Sequence, residues 1–225
     1  MPERLSVQDA RAILGGDVLG PEEAAAAFGA HPRATAIPFC REDLVGAATR
    51  GEMLVLRVSQ GENDTPLTLL RMVERFPEAF DQKLVRQMGY QLKDDWGIVN
   101  EPLAATLTCA PGWALVRKEI LDESRNLTYD QQEAVLRHYA EHSAAVVGTM
   151  RRRSGVEAVY DTLLYFVVRK VRLLTRSWDW SGSRTIDGGY LNVGGFGDRG
   201  MQILSFSRAV RHGGLGVCPT RQHAD

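Results

Sequence analysis

The sequence predicts an α+β fold in which helices come first and short strands come last. Segments with Glu, Lys and helical periodicity occupy the earlier part of the chain, because the last Glu is Glu157 and the last Lys is Lys170. From Ser177 to Asp225, 10 of the 22 glycines lie among short apolar and aromatic runs, as in strands joined by tight turns. This segregation favours α+β over an alternating α/β fold.

Length and composition exclude several classes of protein. The 225 residues are 44% hydrophobic and 24% charged, with a formal net charge of -1, which is typical of a globular chain that buries a core. The near-zero charge argues against a general nucleic-acid-binding protein. No apolar run is long enough to span a membrane, and we expect no signal peptide. The three separated cysteines, Cys40, Cys109 and Cys218, indicate a reducing, cytoplasmic setting.

Residues 1–100 predict a mainly helical accessory module. Ser6 and Asp9 form a capping box for a helix that ends near Leu14, before Gly15-Gly16. Pro21 suits the first turn of a second helix. This second helix runs through the alanines to Phe28. The further elements predicted in this module are a helix over Arg41–Thr49, a strand over Met53–Val58, and helices over Thr68–Phe76 and Glu78–Met88.

A second domain is predicted over residues 103–225. A strand over Gly112–Ile120 precedes a helix that Thr128 caps and that runs from Tyr129 to about Met150. Gly155–Leu174 predicts a further helix with one apolar face. The predicted strands that follow are Ser177–Ser183, Tyr190–Phe196, Met201–Phe206 and Leu215–Cys218.

Three motifs with catalytic or binding associations have plainer interpretations. Gly195–Gly200 matches G-x-G-x-x-G, but a strand-like segment follows it, which favours a tight turn over a dinucleotide site. His138 and His142 stand four residues apart, as zinc ligands can. Without H-E-x-x-H and a third ligand, a solvated helix face is favoured. Arg151–Arg153 is interpreted as a solvated helix end, with anion or nucleic-acid contact as the alternative. We therefore predict no metal and no cofactor.

The C-terminal segment resembles a known pattern. It reads Ser177-Trp-Asp-Trp-Ser-Gly-Ser-Arg184, then Gly189-Tyr-Leu-Asn-Val-Gly-Gly-Phe196, Gly200, and Leu215-Gly-Val-Cys-Pro-Thr-Arg221. This pattern resembles the variable region of target proteins of diversity-generating retroelements, which use a C-type-lectin-like fold shared with proteins related to formylglycine-generating enzymes. Pro111–Ile120 is similar to a segment that recurs in bacterial proteins with such tails. The clear resemblance covers about the last 50 residues.

The resemblance implies a variable ligand-binding region over about residues 194–216. In such systems template adenines are miscopied, so Asn codons change to a restricted set that excludes Glu, Lys, Gln, Met and Trp. Met201 and Gln202 are then fixed scaffold. The residues that this mechanism can reach, and that we expect at a variable face, are Asp198, Arg199, Ser205, Phe206, Ser207, Arg208, Arg211 and His212. Structural roles are expected for Trp113, Trp178, Trp180 and Gly216.

The predicted function is non-enzymatic recognition of a protein or other macromolecule at this face, and the accessory module is expected to dock a partner. The fold that the resemblance implies pairs Trp113–Ile120 with Leu215–Cys218. Calcium-dependent sugar binding is not expected, because the loops lack a Glu, Asn and Asp ligand set. Two alternatives stay open: a phage-like structural or assembly protein, and an enzyme with a cleft between the modules and His138 or His142 as acid–base groups.

Overall fold

The computed structural model describes residues 5–32, 36–83, 97–143 and 148–222. Within these ranges, seven α-helices and two small mixed sheets form an α+β fold, as the sequence predicts. None of the helices in these ranges has both the length and the apolar character that a membrane span needs.

The first four helices follow local signals in the sequence. The Ser6 hydroxyl accepts a hydrogen bond from Asp9 N (3.1 Å), and the Asp9 carboxylate accepts one from Ser6 N (2.9 Å), so the capping box is confirmed. Thr68 caps the fourth helix by accepting from Arg71 N. The four helices are α1 (Val7–Leu14), α2 (Pro21–Phe28), α3 (Arg41–Thr49) and α4 (Leu69–Arg75).

The helix predicted over Glu78–Met88 is wrong at its start. Pro77–Ala79 forms a single 3-10 turn, and Phe80 then makes a β-bridge with Met201. The Phe80 side chain is buried at 1% exposure, so tertiary packing overrides the local helix propensity. The remainder of the predicted helix, from residue 84, lies outside the described residues.

A five-stranded sheet crosses the middle of the fold in the order β1-β2-β3-β9-β4. Its strands are β1 (Val18–Leu19), β2 (Glu52–Arg57), β3 (Gly112–Arg117), β4 (Thr149–Arg152) and β9 (Pro219–Gln222). Strand β1 runs parallel to β2, and the other pairs are antiparallel.

The pairing predicted for Leu215–Cys218 needs correction. The strand that pairs with β3 is β9, with Leu115 opposite Arg221, while Leu215–Gly216 forms β8 in the other sheet. Between the two strands, Cys218 N donates to the Asp179 carboxylate at 2.7 Å. Because this backbone donor is already used, the chain crosses from one sheet to the other here instead of continuing a single strand.

The four-stranded sheet has the order β7-β6-β5-β8. Strands β5 (Trp178–Arg184), β6 (Tyr190–Gly197) and β7 (Gly200–Phe206) pair antiparallel in sequence order, and their positions confirm the prediction to within one or two residues. The edge strand β8 (Leu215–Gly216) runs parallel to β5.

The remaining helices are α5 (Pro102–Thr106), α6 (Tyr129–His142) and α7 (Gly155–Arg169). The predicted Thr128 cap of α6 is confirmed, but the helix ends at His142 and Met150 belongs to β4. Helix α7 ends earlier than Leu174, because Lys170 adopts a left-handed conformation with φ of 57°.

Two apolar cores flank the five-stranded sheet. The smaller core packs α1 and α3 onto one face, with Leu44, Leu54 and Trp113 at its centre. The larger core joins α2, α4 and α7 to both sheets, and it combines Phe28 with Tyr160 and Ile203. The segments on either side of residue 100 therefore share a sheet and a core. The division into a module over residues 1–100 and a domain over residues 103–225 stays a prediction.

The Gly195–Gly200 motif forms the β6–β7 hairpin turn, as interpreted from the sequence, because a strand follows it and Asp198 and Arg199 occupy the turn. Gly200 has a φ of +104°, and a Cβ there would lie 2.4 Å from the carbonyl carbon of Phe80. Asp81 N donates to Met201 O at 3.0 Å beside it. The hairpin is thus held directly against the Phe80–Asp81 backbone.

Gly200→Ala is expected to destabilise the fold more than Gly51→Ala. Gly51 also has a positive φ, +69°, but a Cβ there has open space, so the two variants share backbone strain and differ in the clash. The strain costs about 1 kcal/mol at each site, and the clash adds roughly 1–3 kcal/mol at Gly200. Urea unfolding measures both; equal losses would contradict the close packing at Gly200.

Candidate functional site

Arg151–Arg153 does not form a solvated helix end, and that prediction is wrong. The first two residues belong to β4, and Arg152 and Arg153 are only 7% and 1% exposed. Arg152 donates to Trp180 O (2.8 Å) and Tyr129 O (3.1 Å) and pairs with the Glu133 carboxylate. Since every one of these partners is distant in sequence, the local pattern could not indicate burial.

Six charged side chains form an ionic cluster, which we define as Arg57, Arg151, Arg153, Glu157, Asp161 and Asp179. Asp161 lies between two buried arginines: Arg57 contacts it through two bonds of 2.7 and 3.0 Å, and Arg153 through one of 3.3 Å. Arg153 also donates to Asp179 at 2.8 Å. Three guanidinium groups thus meet three carboxylates, and the cluster ties β2, β5 and the end of β4 to helix α7.

The surrounding arginines set the ionisation of Glu157. Burial disfavours its charged form, but hydrogen bonds from Arg151 (2.6 and 2.7 Å) and the charge of Arg57 outweigh burial and lower the pKa to about 2. Burial likewise opposes the charge of Arg57, yet Asp161 and Glu157 raise its pKa. Glu157 and Arg57 are therefore both charged at neutral pH.

The fold should lose stability in acid as Glu157 protonates. Its folded pKa of about 2 lies below its ordinary value of 4.5, so its contribution is complete above 4.5 and disappears as pH falls towards 2. The loss is on the order of 3 kcal/mol. We expect Glu157→Gln to weaken the fold at pH 7 and to flatten this part of the pH dependence, measured by urea unfolding at several pH values.

The control for this measurement is Glu123→Gln, at an exposed glutamate. It should keep the wild-type acid dependence. An identical pH dependence in Glu157→Gln and the wild type would contradict the account of the cluster.

The longest largely exposed stretch of the predicted variable region is a loop over residues 207–214, which we call the display loop. It lies along residues 126–130, and two backbone hydrogen bonds join the segments: Tyr129 N donates to Arg208 O at 3.0 Å, and Asn126 N to His212 O at 3.2 Å. Leu215 N also donates to His212 O at 3.1 Å. Main-chain bonds thus hold the loop at several points along its path.

Four predicted side chains project from this loop and are exposed: Ser207, Arg208, Arg211 and His212. Arg208 pairs with the exposed Asp130 through its Nε at 3.1 Å, and Arg211 donates to Asn126 O at 3.3 Å. Gly214 N donates to the His212 ring at 3.0 Å. These are solvent-exposed contacts, which contribute little to stability.

Half-buried aromatic rings lie beside the display loop. Tyr129 stacks on Tyr190 with ring centroids 4.1 Å apart. The rings of Trp178 and His212 lie edge to face, with centroids 5.9 Å apart. Phe206, which ends β7 opposite Tyr190, is also half-buried. Aromatic area next to exposed arginines is the composition of protein-recognition surfaces.

Three predicted face residues lie elsewhere. Asp198 and Arg199 occupy the hairpin turn at the far end of β7, about 20 Å from Phe206 at strand spacing. There they pair with Arg172 (2.8 Å) and Asp81 (3.5 Å), respectively. Ser205 is only 5% exposed and bonds Thr185 and Asp187 beneath the surface, so the structure removes it from the display face.

The residues predicted to be structural are tightly packed. Trp113 and Trp180 are 3% and 0% exposed, and Trp178 is half-buried. A Cβ at Gly216 would lie 2.5 Å from Ser124 Oγ. Substitution of any of these residues therefore disturbs packing.

Two further features lie apart from the display loop. His138, Glu141 and His142 form an exposed group on α6 whose ligand atoms lie within 4.8 Å of one another, and Glu141 was not anticipated as the third donor. A cavity of about 300 Å³ opens beside His31, Arg57, Ser59 and Asp64. No residue predicted for the variable face lines that cavity.

Sequence reasoning missed the residues on which the display loop rests, chiefly Asn126, Tyr129, Asp130 and Tyr190. Tyr129 and Asp130 follow the Thr128 helix cap, where polar and aromatic residues are unremarkable, so the sequence carried no signal for them. Tyr190 stood within the quoted Gly189–Phe196 pattern and could have been included.

Comparison with known proteins returns no match: no protein-family model, no curated protein and no solved structure matches this chain.

Proposed function

We propose that this chain is a non-enzymatic recognition protein that binds a macromolecular ligand through the display loop and the aromatic rings beside it. The loop side chains Ser207, Arg208, Arg211 and His212 are the diversified positions, with Phe206 as an apolar contact. Asp198 and Arg199, at the far hairpin turn, form a separate variable patch. The domain that carries them is C-type-lectin-like in this proposal.

The order of elements supports the lectin-like part of the proposal. Strand β3 is followed by helices α6 and α7, with the short strand β4 between them, and then by the β5–β6–β7 sheet. The final strand β9 returns to lie between β3 and β4. This is the arrangement that the sequence resemblance implies, with the pairing moved from residues 215–218 to Pro219–Gln222. Three free cysteines, of which Cys109 and Cys218 are buried, support a reducing, cytoplasmic setting.

The observation that carries the proposal is that main-chain bonds hold the display loop, whereas the side chains it exposes make only weak contacts. Main-chain bonds from Asn126, Tyr129 and Leu215 fix its path, while its exposed side chains make weak surface contacts. A segment held in this way can change its side chains without losing its fold. Diversification requires that property, and the buried serine and glycines nearby would not tolerate it.

The chemistry of the loop indicates the ligand class. Arg211 and His212 offer exposed hydrogen-bond donors, and Tyr129, Trp178, Tyr190 and Phe206 offer aromatic area. Arginine and aromatic side chains provide most of the affinity at protein interfaces, because they supply large contact area at low ordering cost. A protein surface with carboxylates that can reach Arg211 fits best.

Sequencing the 3' end of the gene across a cell population tests the diversification directly. The proposal predicts substitutions at codons for Ser207, Arg208, Arg211 and His212, and at those for Asp198 and Arg199, each opposite an adenine of a nearby near-copy of the gene. Codons for Met201 and Gln202 should stay constant and serve as the internal control. A uniform population with no near-copy would contradict the diversification.

The double variant Arg208→Ala, Arg211→Ala should keep the stability of the wild type to within about 1 kcal/mol, because exposed pairs contribute little. The matched control removes the two buried arginines, Arg152→Ala and Arg153→Ala. That variant should lose several kcal/mol or fail to fold, since it leaves the buried Asp179 carboxylate without its guanidinium partner and removes the bonds of Arg152 to Trp180 O and Tyr129 O. Urea unfolding measures both variants. A large loss of stability in the loop variant would mean that its side chains hold the fold, against the proposal.

A further inference from the structure

A second group of arginines lies on the face of the five-stranded sheet opposite the ionic cluster. We define the Arg221 cluster as Arg50, Glu52, Arg117, Tyr139 and Arg221. Thr220 and Gln222 bond Arg57 on one face of β9, so the intervening Arg221 lies on the other. Glu52 and Arg117 are directly opposite each other on β2 and β3.

The carboxylate of this cluster is already occupied. Arg50 donates to both Glu52 oxygens, at 2.9 and 3.0 Å, and the Tyr139 hydroxyl donates to Oε1 at 2.7 Å. Burial and the nearby Glu52 raise the pKa of Tyr139 to about 12, so its hydroxyl stays a protonated donor. Arg50 and Glu52 therefore cancel each other in charge.

The other two arginines have no carboxylate partner within the described residues. Arg117 Nη1 donates to Arg50 O at 2.6 Å, but its Nε is buried without a partner. Arg221 is 3% exposed, and its Nη1 is buried without a partner as well. Among the described residues, neither guanidinium group therefore has a carboxylate hydrogen-bonded to it.

This arrangement is unfavourable for Arg221, which is buried, unless an anion completes it; Arg117 is half-buried beside it. A guanidinium group stays charged in proteins, and burying its charge unpaired is costly. Burial lowers the pKa of Arg221, and the nearby carboxylates of Glu52 and Asp43 offset this only in part. Elsewhere in the described residues, the buried arginines Arg57, Arg152 and Arg153 each form an ion pair with a carboxylate.

We propose that the Arg221 cluster is a binding site for a phosphate group. The free N–H donors of Arg117 and Arg221 match phosphate oxygens, for which arginine is the preferred ligand. A phosphate group offers three or more acceptor oxygens, so one group can accept from both guanidinium groups at once. The phosphate is either inorganic or part of a small phosphomonoester. The site is separate from the display loop, so it does not depend on the function proposed above.

Calorimetric titration of the full chain with inorganic phosphate, and separately with glycerol phosphate, tests the site. The expected result is saturable binding at constant ionic strength, weakened about tenfold or more in Arg221→Met and in Arg117→Met through loss of charge-assisted bonds. The matched control Arg184→Met changes an exposed arginine for which the described residues offer no partner, and it should bind like the wild type. Tighter binding of the ester than of phosphate would identify an organic phosphate as the ligand.

Thermal unfolding gives a second readout that is independent of the titration. In chloride buffer, Arg221→Met should be at least as stable as the wild type, because it removes an unpaired buried charge. Phosphate should raise the melting temperature of the wild type by clearly more than it raises that of Arg221→Met, because only the general salt effect of phosphate acts on the variant. Absence of saturable phosphate binding by the wild type, or equal phosphate stabilisation of both proteins, would overturn the proposal. If Arg221→Met fails to fold, Arg117→Met and the wild-type titration decide.

Discussion

The rest of the fold depends on the buried carboxylate of Asp161 and on its ion pairs with two arginines. It lies on α7 without exposure to solvent, between Arg57 of β2 and Arg153 at the end of β4. A buried carboxylate in that position must be matched in both charge and geometry, because removing one partner leaves an isolated charge in the interior. This constraint fixes the position of α7 between the two sheets.

The ionic cluster also directs the end of the chain. Asp179 pairs with Arg153 through one oxygen and accepts the Cys218 N–H through the other, so the chain leaves β8 and enters β9 at that point. The display loop, residues 207–214, precedes this crossing. Its ends are thereby held by β7 on one side and by the crossing on the other. A segment fixed at both ends and bonded through its main chain is suited to present variable side chains on a constant backbone.

Local signals predicted the helices well, and long-range pairing explains the failures. The Ser6 and Thr128 caps and the proline at the start of α2 act over three or four residues, so each was visible in the sequence. The burial of Arg153 depends on Asp161 and Asp179, 8 and 26 residues away, and no local pattern contains that information. The assignment of Ser205 to the face failed for a related reason: codon reachability says nothing about which side of a strand is buried.

The two groups of arginines show what the chain pairs internally and what it leaves for another molecule. On one face of the sheet each buried guanidinium has its carboxylate; on the other, Arg117 and Arg221 retain unpartnered donors. The arginines of the display loop differ from both groups, because they are exposed and make only solvent-exposed contacts. Recognition at the loop and phosphate binding at the sheet would then be separate properties of one scaffold.

The central claim is that the scaffold is fixed by buried contacts while the display loop is free to vary. A protease-resistance scan of all single substitutions over residues 148–222 tests it most directly. The account predicts wide tolerance at Ser207, Arg208, Arg211 and His212, and strict intolerance at Arg153, Asp161 and Asp179. If the loop positions proved as intolerant as the ionic cluster, the loop would be a structural element and the account would be contradicted.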